Sequence, residues 1–310
     1  VAVSSRIGLA SAMLLLAPMT QQALAQSAAR PAQAPPAAET PAGSVGGMGD
    51  VNLYPKRVVI DSKQRVASVG LFNRAAAQGE YEISVTDMMM TPEGRLVELG
   101  AVTDTAARDK VRTASRFLRW SPRRVTLGSH DSQTVRIMAR IPPEMPAGEY
   151  RSHFSAIAMP DIGAGGLSIE EARSGAQKPG TIGVTIVPRF GISIPVIVRV
   201  GETTLTTGLR NLAVIALPDG GRAISLTIAR EGTRSAFGDI AVTVTGTKTK
   251  VADVRGIGVY TEIGQRAVQI TVDPAADPRL TARGAKLTVT YTDDDFAPGK
   301  ILARQDFIVP

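Results

Sequence analysis

The chain of 310 residues contains no cysteine. A disulfide framework, a thiolate metal centre and a cysteine nucleophile are excluded together, so any fold rests on its apolar core. Histidine is nearly as scarce. His130 stands in the turn sequence Gly-Ser-His-Asp and His153 inside a strand-like run, so a paired-histidine metal site is not expected. Aromatic residues amount to 4%, too few to offer nucleic-acid bases a stacking surface. No G-x-S-x-G elbow, phosphate loop or H-E-x-x-H helix occurs. The Gly-Ala-Gly-Gly at 163–166 lacks the strand and helix that a dinucleotide turn requires. No catalytic residue, metal or cofactor is therefore assigned, and the reading is of a protein that is not an enzyme.

Long apolar runs are missing too. Residues 7–18, preceded by Arg6, form a block too short to span a bilayer, and Ala-Leu-Ala at 23–25 supplies the small residues of a cleavage site. The expectation is a signal peptide over 1–25 and export, without direct membrane insertion. Residues 26–50 are rich in Ala, Pro and Gly with almost no large apolar side chain, which predicts a disordered leader. The net charge of +7 suits nucleic acid, anionic lipid or an acidic partner in principle. Export and the lack of aromatics argue against nucleic acid, and the charge reads mainly as solubility.

From residue 51 onward short alternating runs are separated by turn residues: 57–60, 66–72, 81–86, 124–127, 134–141 and 150–159, then 211–217, 223–229, 239–245, 258–263, 267–272, 286–292 and 301–309. The fold class expected is all-β, two immunoglobulin-like β-sandwiches in tandem over 51–200 and 201–310. Helices are few. Thr-Ala-Ala-Arg-Asp-Lys-Val-Arg at 105–112 is good for a turn or two, and 168–174 carries a Ser168, Glu171 capping-box pattern. Asp293, Asp294 and Asp295 lack the alternating spacing of a calcium loop and read as a solvated hairpin tip. Met88, Met89 and Met90 read as core and edge filler.

One stretch exceeds an ordinary strand. From 182 to 198 every even position is apolar, from Ile182, Val184 and Ile186 through Pro188 and Phe190 to Ile192, Ile194, Val196 and Val198. Period-two alternation marks one buried face of a strand, and 17 residues at ~3.3 Å each reach roughly 56 Å. Pro188 and Pro195 cannot donate to a ladder, which disfavours a central strand throughout, and their opposite parity predicts a change of pairing near Pro188. The uncharged 181–187 portion is left with one edge open. A long Gly-rich connection before it offers little cover. Such an edge accepts another chain by strand addition, or a second copy of this one.

The chain resembles the periplasmic pilus-assembly chaperones of the chaperone-usher pathway, as a divergent branch. The likeness rests on RVVID at 57–61, on SPRRVTLGSHDSQTVRIMARIPPEMPAGEYRSHF at 121–154, on the stripe with Arg189, and on a second β-rich domain. The resemblance implies the periplasm as the destination of export, and a chaperone there that binds pilin subunits by donating a strand and delivers them to an outer-membrane usher. Ile182, Val184 and Ile186 would then be the donor residues. It implies further that Arg57 and a second cation, for which Arg189 is the candidate, hold the subunit's terminal carboxylate. Lysine is the family's usual second anchor. The competing reading is a secreted two-domain structural or adhesive protein that binds another envelope component.

Overall fold

The structure, a computed structural model, describes residues 41, 44–46, 50–159 and 189–310. The predicted signal peptide, the helix expected at 168–174, Pro188 and the donor residues Ile182, Val184 and Ile186 lie outside the described residues.

The first sandwich begins with β1 (Val45–Gly46), β2 (Val51–Tyr54), β3 (Val58–Ile60), β4 (Val66–Asn73) and β5 (Gly79–Thr86). A small hairpin follows, β6 (Met88–Met90) and β7 (Leu96–Glu98), and then a short helix, α1 (Thr105–Asp109), capped by the Asp104 side chain on the Ala107 N–H. The sandwich closes with β8 (Leu118–Ser121), β9 (Arg124–Leu127), β10 (Ser132–Ala139), β11 (Gly148–Met159) and β12 (Gly191–Val200). Its two large sheets run β1-β2-β4-β10-β8 and β3-β12-β11-β5-β9. Alternate residues of each sheet meet in one core: Leu71, Val135 and Ile137 from one side, Phe154, Ile194 and Val198 from the other. Six fully buried side chains of this kind are each worth about 1.5–3 kcal/mol relative to exposure.

The second sandwich consists of β13 (Leu205–Ala216), β14 (Arg222–Gly232), β15 (Ala236–Val244), β16 (Lys250–Val259), β17 (Gln265–Thr271), β18 (Lys286–Asp293) and β19 (Ile301–Ile308). Sheet β13-β14-β17 packs on sheet β16-β15-β18-β19 around Leu226, Ile228, Val242, Val289 and Tyr291. The architecture is therefore all-β, two sandwiches in one chain. One predicted strand is displaced. The sequence places it at 258–263, whereas β16 occupies 250–259 and residues 260–264 turn, because Gly256 and Gly258 interrupt the alternation that a strand search follows.

Both faces of β11 and β12 are covered where they approach the second sandwich. In β12 the even residues Ile192, Ile194, Val196 and Val198 enter the core of the first sandwich. Ile197, on the opposite face, packs with Met90, Phe237 and Tyr260. The antiparallel register sets Glu149 opposite Arg199, Arg151 opposite Ile197 and His153 opposite Pro195. These odd-numbered residues share one face, turned toward the second sandwich.

Candidate functional site

The site starts from the backbone of β12. The Ala158 N–H donates to the Phe190 carbonyl at 2.8 Å, so the even residues of β12 bond to β11 and the odd residues turn their N–H and C=O groups the other way. On that other side β3 pairs in parallel only with 196–198. For residues 191–195 the ladder groups have no strand partner on that side among the described residues. Pro195, which has no N–H, is the last position before β3 begins. Its missing donor faces the open side. Among the described residues β12 is therefore central over 196–198 and an edge before that, with a change of pairing at Pro195, whereas the change expected near Pro188 lies outside the described residues.

Arg57 stands immediately before β3 and, by the parallel register, beside Pro195. Its side chain is 8% exposed, and its Nη2 donates to Asp294 Oδ1 at 2.5 Å. The guanidinium lies 4.3 Å over the Phe237 ring. Its Nη1 is buried and has no hydrogen-bond partner among the described residues. Lys56 also pairs with Asp294. A buried cation with an unused donor carries a desolvation cost that an incoming acceptor would relieve.

Around this point the sandwiches leave a cavity of about 690 Å³, with Arg57, Lys56 and Pro195 on one side and Phe237, Arg255 and Arg266 on the other. Four cationic and no acidic side chains line it. Arg266 of β17 donates from Nη1 to the Gly258 carbonyl at 2.5 Å. Its Nε is buried without a partner among the described residues, and burial lowers the guanidinium's pKa from its ordinary value. Apolar surface from Met90, Leu96 and Tyr260 completes the walls.

Two further ionic groups fix the cleft. Arg199 pairs with Glu149 at 3.3 Å and with Asp295, and Glu149 also accepts from the Ser235 hydroxyl. Arg151 holds Glu262 with two bonds, of 2.7 and 3.2 Å, over the Tyr260 ring, while the Met90 N–H donates to the same carboxylate at 2.8 Å. Beside them His153 is fully buried, 3.4 Å from the Tyr260 hydroxyl. Burial, reinforced by Arg151, pushes its pKa down to about 3, so the ring is neutral.

The structure does not bring Arg189 to this cleft. Its side chain is 45% exposed and pairs with Glu82 at 3.0 Å, six residues before Pro195 and so roughly 20 Å away along the strand. The acidic run is also not the solvated tip that the sequence suggests. Asp293 is buried, Asp294 pairs with Lys56 and Arg57, and Asp295 pairs with Arg199. Arg266 carries no local sequence signal, since it is one basic residue at the start of an ordinary strand.

No family model matches the chain. Over 84 residues, 27% of its length, it is 33% identical to a valine–tRNA ligase of Streptococcus agalactiae, and it spans only 9% of that protein. Among solved structures it is similar to the E. coli chaperone DraB, with 12% identity and a TM-score of 0.42 over 84% of this chain and 97% of that one. It is similar also to a chain from the complex of Salmonella enterica SafA pilin with the SafB chaperone, with 13% identity and a TM-score of 0.38 over 86% of this chain and 99% of that one. A third likeness is to the CsuC–CsuE chaperone and tip-adhesion-subunit complex of Acinetobacter baumannii, at 10% identity and a TM-score of 0.39, covering 83% and 96% of the two chains.

Proposed function

We propose that this chain is a non-enzymatic periplasmic chaperone that holds pilus subunits by lending them a strand and passes them to an outer-membrane usher. The observation that carries the reading is the edge of β12 over 191–195, unpaired on one side among the described residues, which leads to the buried guanidinium of Arg57 with a nitrogen likewise unpartnered among them. A guest strand added along that edge ends where β3 begins. With its terminal carboxylate at Arg57 it runs parallel to β12, and Ile182, Val184 and Ile186, which precede β12 in the sequence, are the side chains to be offered to the guest. Asp294 keeps Nη2 occupied and orients the fork, leaving Nη1 for the guest through a charge-assisted bond.

The magnitudes suit a temporary hold. Burying three aliphatic side chains stabilises the complex by roughly 5 to 9 kcal/mol before association costs are subtracted. Release then proceeds by exchange for another strand, which needs no nucleotide. The test is co-expression with a strand-deficient pilus subunit and purification from periplasm. The wild type should retain the subunit, while Arg57→Ala and Val184→Asp should each lose it. Retention by both variants would refute the mechanism.

A further inference from the structure

The cavity beside Arg57 is more than a socket for one arginine. Its far wall is contributed by the second sandwich and carries Arg266, whose only hydrogen bond among the described residues is that from Nη1 to Gly258. Gly258 also lies against the Phe237 ring on which Arg57 rests, since a Cβ there would come within 2.9 Å of that ring. The two guanidinium groups are therefore linked through one aromatic ring and one backbone carbonyl. Each has a buried nitrogen without a partner among the described residues, Nη1 in Arg57 and Nε in Arg266.

We infer that Arg266 is the second cation of the carboxylate site, so that the clamp on a guest's terminus is closed by one arginine from each sandwich. This rests on the chaperone reading above. Two guanidinium groups lining a cavity with four cations and no acid among its lining residues select an anion with two acceptor oxygens, and the apolar walls from Met90, Leu96 and Tyr260 suit the last side chain of a polypeptide. An amidated end lacks the charge and the second oxygen, and an internal acid, though it has both, brings no terminal side chain to the apolar walls.

Gly94 positions this second arm. It turns the β6–β7 hairpin with a φ of +83°, and a Cβ added to it would fall 2.2 Å from Arg266 Nε. The Ala267 N–H donates to the Pro92 carbonyl at 2.8 Å, tying the same hairpin to β17. The bare glycine thus lets the guanidinium lie flat against the hairpin tip. A methyl group there displaces the arginine without removing its charge.

The test compares an N-acetylated peptide of alternating valine and threonine ending in a free phenylalanine carboxylate with its C-terminal amide, by titration calorimetry on the full chain. The wild type should prefer the free acid. Arg266→Gln should reduce that preference about tenfold or more and leave amide affinity unchanged, Gly94→Ala should do the same with the charge retained, and Arg266→Lys should recover part of it. Preference lost in Arg57→Gln but kept in both Arg266→Gln and Gly94→Ala would overturn the two-armed clamp and leave the chaperone reading standing. Preference kept in Arg57→Gln as well, or absent from the wild type, would overturn both. Far-UV circular dichroism of each variant separates loss of the clamp from loss of the fold.

Discussion

His153 titrates against the fold. Burial first, and the neighbouring Arg151 second, hold its pKa at about 3, against 6.5 for an unhindered ring. The depressed value means that below pH 6.5 the unfolded chain takes up a proton that the folded chain refuses, so stability falls as pH falls, down to about pH 3. From pH 7 to 5 this residue alone should remove about 2 kcal/mol. Urea midpoints at the two pH values measure it, and His153→Gln should flatten the difference by that amount. A slope unchanged in the variant would show that the ring is not buried neutral. Nothing in the sequence around His153 announces this, because an odd-numbered polar residue in an alternating run reads as facing water.

The same ambiguity governs the elements. Strands such as β9, β10 and β18 were legible because one face is apolar and the other polar. The polar face of β11, with Glu149, Arg151 and His153, has the same pattern whether solvent or a second sandwich covers it. Period-two alternation fixes which residues share a face but not what lies over that face, so the interdomain surface was hidden in plain charge. The β6–β7 hairpin was equally obscure: three methionines and a Pro-Glu-Gly turn gave no sign that the Met90 N–H would meet Glu262. Glu262→Ala should strand Arg151, which is 2% exposed, at a cost of about 3 to 5 kcal/mol. The exposed Arg124–Glu80 pair on β9 and β5 should contribute under about 1 kcal/mol when Arg124 is truncated. Urea unfolding of the two variants side by side checks the contrast.

At the scale of the molecule, the sandwiches are joined by charges that each side supplies in part. Arg57 with Asp294, Arg199 with Asp295 and Arg151 with Glu262 all cross from one sandwich to the other. Arg199→Ala leaves Glu149, whose side chain is fully buried, and Asp295 without their cation. Calorimetry of the wild type should give one transition, and the variant should resolve two as the sandwiches melt separately. A single unshifted transition in the variant would contradict this coupling. The location of Arg57 was within reach of sequence reasoning because a strand motif follows it directly. Arg266 was not, since only folding brings 57 and 266 to one cavity.

The brevity of β3 has its own consequence. Three residues of parallel pairing act as a buffer stop at the end of a track that carries no other strand among the described residues. On the function proposed above, a visiting strand would halt at the same mark whatever its composition, its odd and even side chains in a fixed phase before any of them is inspected. Clients of that proposed kind would be free to differ widely in what they carry, provided they agree on how far it sits from their last atom.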